Sequence, residues 1–241
     1  MTLSIIIPTL NEEKYLPLLL KSIKKQTLKP LEIILADARS KDETIKIGRE
    51  FGCKIIKGGN PGFGRNNGAK IAKGEMLLFL DADVILPKRT FLEDSVNEIK
   101  ERRLDVTSCY LKPRSHLKVY ELLFDLANQY LRINQTVNPK AMGYIIFVKK
   151  AVHRKLKGFD SSILLGEDFD YIKRSAKVGR FALLESHKIL VSIRRFEKEG
   201  RFKLITKYII SELHQMVAGP IRKKIYNYKF GEFENLHKHE T

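Results

Sequence analysis

Apolar positions along this chain follow two rhythms that take turns. Leu3-Ser4-Ile5-Ile6-Ile7 is a β-branched run halted by Pro8-Thr9, the pattern of a buried strand. Leu16, Leu19, Leu20 and Ile23 then recur at three- and four-residue spacing, which predicts a helix that Asn11 is placed to cap. The cycle repeats. Leu31–Ala36 reads as a strand ending at Asp37, and Ser40-Lys41-Asp42-Glu43 matches the capping box of a second helix. Lys54-Ile55-Ile56 predicts a third strand that enters a glycine-rich loop, 58–64. Arg65–Lys73 predicts a helix closed by Gly74, and Met76–Leu80 a further strand.

Strands and helices alternating through short connections predict an α/β domain with a Rossmann-like, mostly parallel sheet flanked by helices. Ligands of such sheets sit beyond the carboxyl ends of the strands. Thr9, Asp37, Arg65, Asp81 and Asp83 lie at or just past such ends, so topology brings them together. Asp81 and Asp83 interrupt the apolar run Leu77–Leu86, where unpartnered carboxylates are costly. On an extended segment, residues i and i+2 point the same way and can share one Mg²⁺ or Mn²⁺ ion, held with the help of substrate phosphates. The competing reading is a strand that stops at Asp81 with both acids in water. Asp37 as a turn residue, Arg65 as a surface cation and an ordinary flexible loop at 58–64 are the matching plain readings. Jointly the residues describe a nucleotide site, with Asp37 accepting from base or ribose and Arg65 facing a diphosphate. The chain has no Gly-x-x-x-x-Gly-Lys-Ser/Thr loop. No Gly-x-Gly-x-x-Gly follows the first strand, which argues against a dinucleotide dehydrogenase.

The second half continues with a helix near Phe91–Arg102 and a strand near Val106–Leu111. Residues 116–134 place Val119, Leu122, Leu123, Leu126, Tyr130 and Ile133 at helical spacing; most of that face is expected to pack into the core, and part of it can line an apolar acceptor groove. After a strand at Tyr144–Val148, Gly158-Phe159-Asp160 closes a short basic helix. Gly166–Arg174 opens another, whose acids Glu167, Asp168 and Asp170 would at the least complement the helix dipole. His187 follows the strand Phe181–Leu184, as a late metal ligand or an ordinary surface histidine. Arg194 and Arg195 fall on an expected loop and suit a diphosphate or an anionic acceptor. An amphipathic helix over 202–217 carries Phe202, Ile205, Ile209, Leu213 and Met216 on one stripe, before Arg222-Lys223-Lys224. Three uses are open to it: packing on the domain, covering the site, or lying on an anionic membrane.

A length of 241 residues with 43% hydrophobic content suits one large domain, expected over 1–195, and a helical extension over 196–241. Cys53 and Cys109 form no disulfide framework and no metal-ligand spacing, which points to core thiols in a reducing cytoplasm. No apolar run reaches about 18 residues and no basic leader precedes the first strand, so neither export nor a membrane span is expected. A net charge of +17 nevertheless calls for an anionic partner: a nucleotide, the inner face of the cell membrane or a nucleic acid.

Ser4–Glu12, Asp37–Thr44, Gly64–Ala69 with Ala72–Glu75, and Phe79–Asp83 resemble, in order, four successive blocks of the family 2 glycosyltransferases. The second block departs in carrying Ala38 where the family usually has Gly. The resemblance implies the GT-A nucleotide-sugar fold, with Pro8, Thr9, Asn11, Glu12, Asp37 and Arg65 around the nucleotide, Asp83 as principal metal ligand and Asp81 near ribose or metal. Glu167-Asp168-Phe169-Asp170-Tyr171 with Arg174, after Gly158-Phe159-Asp160, is similar to the family's Glu-Asp-x-Asp block. That maps Asp168 to the catalytic base and leaves Glu167 and Asp170 to orient the acceptor or cap the helix. The activity implied is metal-dependent (Mn²⁺ or Mg²⁺), inverting transfer from a UDP- or GDP-sugar to an acceptor hydroxyl, with a lipid or lipid-linked glycan as the acceptor the charge favours. A nucleotidyltransferase is the competing enzyme, but Pro8-Thr9-Leu10-Asn11 stands where its Gly- and Arg-rich loop belongs. A basic nucleic-acid-binding protein is the competing class, and no recognised binding module supports it. Oligomeric state is not legible.

Overall fold

The structure is a computed structural model and describes residues 1–222; Lys223, Lys224 and the remainder of the expected extension lie outside the described residues. The first half runs β1 (Leu3–Thr9), α1 (Leu16–Lys24), β2 (Glu32–Asp37), α2 (Thr44–Glu50), β3 (Lys54–Lys57), α3 (Pro61–Ile71), β4 (Met76–Leu80), β5 (Val84–Ile85) and α4 (Phe91–Glu101). The second half runs β6 (Val106–Pro113), α5 (Lys118–Asn134), β7 (Ile145–Lys149), α6 (Lys150–Lys155), α7 (Glu167–Ala176), β8 (Phe181–Val191), α8 (Arg194–Glu199) and α9 (Arg201–Ala218). The strands form one sheet in the order β3-β2-β1-β4-β7-β6-β8-β5. β3, β2, β1 and β4 are mutually parallel, as are β6 and β8, while β7 is antiparallel to both β4 and β6 and β5 runs antiparallel to β8.

The all-apolar runs of β1 and β4 are explained by layers on both faces. Ile5, Ile7, Leu78 and Leu80 enter one core cluster, whereas Ile6, Leu77 and Phe79 enter the other. Successive side chains of a strand point to opposite faces, so a strand buried on both needs apolar residues at every position. Helix α3 lies close on this sheet. A Cβ added to Gly68 would fall 2.3 Å from Ile6 Cγ2.

Several local expectations change. Helix α3 begins at Pro61 rather than at residue 65, because Pro61 occupies its first turn and the Asn60 side chain accepts from Phe63 N–H at 2.8 Å. Asn11 does not cap α1, which starts at Leu16 with no side-chain cap. It adopts φ +54° and bridges to the next loop, its N–H donating to Ser40 Oγ and its Oδ1 accepting from Lys41 N–H, both at 2.9 Å. Ser40 likewise forms no capping box; its hydroxyl donates to Asp37 at 2.6 Å. The run 77–86 is not one extended segment, since β4 stops at Leu80 and a turn over 81–83 leads into β5. Strand β8 extends through His187, and the expected loop at Arg194–Arg195 is the start of α8, so the boundary expected at residue 195 falls inside a helix. Helix α5 is turned the other way from its expected packing: Tyr120, Phe124, Asn128 and Leu131 are buried, while Val119, Leu122, Leu126, Tyr130 and Ile133 are exposed.

The close approach of α3 to β1 gives a test with a definite sign. Gly68→Ala in a free helix would stabilise by about 1 kcal/mol, whereas overpacking against Ile6 should destabilise by roughly 1–3 kcal/mol. A lowered midpoint of denaturant unfolding is the expected result.

Candidate active site

The register of β1 and β2 pairs Thr9 with Asp37 at the strand ends. Thr9 Oγ1 donates to Asp37 at 3.0 Å, and Ser40 N–H and Oγ donate to the same carboxylate at 2.9 and 2.6 Å. Pro8 sits beside them, 3.4 Å from where a Cβ on Gly64 would stand. The fold has thus fixed Asp37 beside the β1 end and the start of α3.

Arg65, on α3, is 2% exposed and donates to Asp81 and Glu167 at 2.8 Å each and to the Gly143 carbonyl at 3.2 Å. Its guanidinium also lies 5.3 Å from the centre of the Phe159 ring. Burial opposes the charge, but Asp81, Glu167 and Asp168 more than offset it and hold Arg65 firmly protonated. Two side chains bring α7 to this place. Asn66 bonds the backbone N–H and carbonyl of Phe159, each at 2.8 Å, and Asn60 donates to the Ser161 carbonyl at 3.0 Å. Asp170 faces away from the cluster, pairing with Arg174 at 2.7 Å, and Arg174 in turn donates to the carbonyls of Leu156 and Gly158. Of the three acids of α7, then, Asp170 braces the helix while Glu167 and Asp168 belong to the site.

Asp168 accepts from Gly143 N–H at 2.6 Å and from Phe169 N–H at 2.9 Å. Burial and the neighbouring Glu167 push its carboxyl up to about 7 against the pull of Arg65. Gly143 therefore serves both Arg65 and Asp168 through its backbone, and a Cβ there would stand 2.8 Å from Asp168 Oδ2. Nothing in the sequence pattern singled it out; a glycine just ahead of a strand was the only available signal.

A second buried cation gathers acids of its own. Arg194, 4% exposed, donates to both oxygens of Glu12 at 2.7 and 2.8 Å, places Nε 2.8 Å from Asp83, and stacks 4.5 Å from the Tyr15 ring centre. Glu12 is pushed up to about 7 by burial, with Arg194 acting in the opposite sense. Asp81 is also raised by burial, moderated by Arg65, and the charge of Arg195 reaches it too. Asp81 and Asp83 thus share no single partner here: the turn sends one to Arg65 and the other to Arg194. His187 is not brought to this cluster. It lies within β8, stacked on Phe91 and 2.6 Å from Asp94.

Carboxylate oxygens are the kind of donor a hard divalent cation takes. Arg65 pairs with Asp81 and Glu167, Arg194 with Glu12 and Asp83, and the charge of Arg195 reaches Asp81. No group of three or more His, Cys, Asp or Glu is gathered to hold an ion among the described residues. Asp81 and Asp83, each paired here with a different arginine, are the carboxylates that could hold an ion, with phosphate oxygens and water to complete its shell.

Fold and site together define the class: an α/β sheet of the GT-A glycosyltransferase type, with acids and arginines gathered at its strand ends. The chain belongs to glycosyl transferase family 2, whose pattern it matches over residues 4–155. It is 35% identical over 122 residues to the poly(ribitol-phosphate) beta-N-acetylglucosaminyltransferase TarS of Staphylococcus aureus (strain Mu50), a match covering 46% of this chain and 21% of that protein. It is 40% identical over 101 residues to the 4,4'-diaponeurosporenoate glycosyltransferase of Staphylococcus haemolyticus, covering 38% and 27%. The chain thus spans only about a quarter of the length of these relatives. Among solved structures it is similar to the mannosyltransferase PcManGT of Pyrobaculum calidifontis in complex with GDP-Man and Mn²⁺, with a TM-score of 0.68, 20% identity, and coverage of 86% of this chain and 64% of that one. Residues 1–349 of Staphylococcus aureus TarS in complex with UDP-GlcNAc give a TM-score of 0.65 at 22% identity, covering 80% and 58%. At these identities the structural likeness speaks for the fold.

Arg65→Ala would leave Asp81, Glu167 and Asp168 gathered without their shared cation. Removing one partner of a buried ion pair typically costs about 3–5 kcal/mol. Unfolding of the variant in denaturant at neutral pH should show a loss of that order.

Proposed function

We propose that this chain is a metal-dependent, inverting glycosyltransferase that moves a sugar from a UDP- or GDP-sugar to the hydroxyl of an acceptor, a lipid or lipid-linked glycan. The observation that carries the reading is Asp168: a carboxyl held by Gly143 N–H, with an affinity for protons near neutrality, beside a cluster of acids and guanidinium groups at the strand ends. Names of relatives and neighbours supply donors of this kind, UDP-GlcNAc and GDP-Man. Family membership favours glycosyl over nucleotidyl transfer and over nucleic-acid binding.

In this reading Asp37, positioned by Thr9 and Ser40, accepts from the base or ribose. Asp83 and Asp81 would hold Mn²⁺ or Mg²⁺, which when bound neutralises charge on the departing diphosphate. Arg194 and Arg195 stand close enough to these acids to answer the same charge once a donor enters. Asp168 accepts the acceptor's hydroxyl proton as that oxygen forms its bond to the anomeric carbon and the bond to the diphosphate breaks. A single displacement inverts the anomeric centre. Glu167, fixed by Arg65, is placed to orient the acceptor beside the base.

Four measurements test this. Asp168→Asn should leave donor binding intact and lower transfer by about 10² to 10⁴; near-normal transfer would remove Asp168 from the role. Because the base works as the carboxylate, kcat/KM should fall about tenfold per pH unit below about 7 and level off above it. Asp83→Ala, or chelation of divalent ions, should abolish metal-stimulated donor binding. The product's anomeric configuration, read by NMR, should be opposite to the donor's.

A further inference from the structure

Helices α5 and α9 are each amphipathic twice over. On α5, Tyr120, Phe124, Asn128 and Leu131 face the domain, and a second apolar stripe on the opposite side leaves Leu122, Leu126 and Ile133 at 61%, 59% and 74% exposure. On α9, Leu204 and Ser211 are buried, and the opposite stripe leaves Phe202, Leu213 and Val217 at 89%, 56% and 90%. The two helices run side by side in the same direction. Arg201 packs over the Tyr120 ring near their starts, and Glu212 accepts from Tyr130 one helical stretch further on while pairing with Lys140. Their outward stripes therefore add into one surface. Isolated exposed leucines need no explanation, but an apolar surface built from two adjacent helices marks an interaction site.

We infer that the α5–α9 surface docks on an anionic lipid bilayer, with the basic residues of these helices against the headgroups. Charge complementarity selects this occupant. Lys118, Arg132, Arg201 and Lys203 are exposed on the same two helices. Of their acids, Asp125 is paired with Lys188 and Glu212 with Lys140, which leaves Glu121 as the acid without a basic partner among the described residues. The whole chain carries +17, and no helix among the described residues is long and apolar enough to cross a membrane, so contact would be from one side. The surface also adjoins the acceptor side of the site. A Cβ on Gly166, at the head of α7, would stand 2.7 Å from the Gln215 side chain of α9, and Lys140 lies over the ring of Phe169, next to Asp168. Docking would bring the base towards hydroxyls presented at the bilayer surface. This last step rests on the proposed transfer; the docking surface does not.

The full chain, without donor, is sedimented with phosphatidylcholine vesicles containing or lacking phosphatidylglycerol. Expected is retention on the anionic vesicles at low salt, weakening as salt rises, with little retention on neutral ones. Leu126→Ser with Leu213→Ser, both at exposed positions, should reduce retention at least about tenfold without lowering the thermal unfolding midpoint. Lys118→Gln and Lys203→Gln should each reduce it about fivefold. No retention at low salt, or retention that ignores the Leu126 and Leu213 substitutions, overturns the proposal. So does self-association in light scattering that the same substitutions disperse, since the stripe would then belong to a second copy. UDP and GDP titrations of the wild type and the double variant separate the two readings: unchanged nucleotide affinity with lost vesicle binding confines the effect to docking, and vesicle binding without nucleotide binding would overturn the donor reading alone.

Discussion

One buried cation sets the form of the site. Arg65 reaches from α3 to Asp81 at the end of β4, to the carbonyl ahead of β7 and to Glu167 on α7, so four separate stretches of chain meet at a single planar group. A guanidinium does this where an ammonium would not, because its donors point along fixed directions and can satisfy two carboxylates and a carbonyl at once. Without that charge, the acids drawn together by the strand ends would repel each other in a setting that already penalises them. The position of Asp168 follows from the same anchor, since Gly143 is gripped by Arg65 on one side and by Asp168 on the other.

Arg194 repeats the arrangement with Glu12 and Asp83. Two of the acids, Glu12 and Asp168, have a proton affinity near neutrality. Burial rather than like charge is the leading cause in both. A site so balanced changes its net charge over a narrow pH range, and the arrival of a diphosphate or a divalent ion would shift the same balance.

Much of the fold was legible because its central strands are buried on both faces: β1, β2 and β4 read as unbroken apolar runs, and the short connections between them implied the parallel order that gathers Thr9, Asp37, Arg65 and the Asp pair. What escaped is equally physical. Asn11 and Ser40 look like helix caps because their side chains suit that use, yet each finds a partner in another loop, and sequence spacing cannot report such contacts. The face of α5 was misread because its buried stripe contains a polar residue. Asn128 satisfies the backbone of β6 by exchanging two hydrogen bonds with Leu111, both at 2.8 Å, so the more apolar stripe was left for the outside. Asp81 and Asp83 were read as neighbours on an extended segment; aspartate also suits a turn, and the competing reading of a strand that stops there is the one the chain follows in ending β4 at Leu80.

The pairing of Arg194 with Glu12 joins residues 182 positions apart. Closing a loop of that size is entropically costly, though the cost grows only slowly with length. Its order in time is stricter. At about 5–20 residues per second of synthesis, on the order of ten seconds or more separates the emergence of Glu12 from that of Arg194. During that interval β1 and β4 can pair while Glu12 and Asp83 still lack the guanidinium that will sit between them. The nascent chain must keep those acids hydrated, protonated or matched by a borrowed cation, and the site closes only once Arg194 has been made.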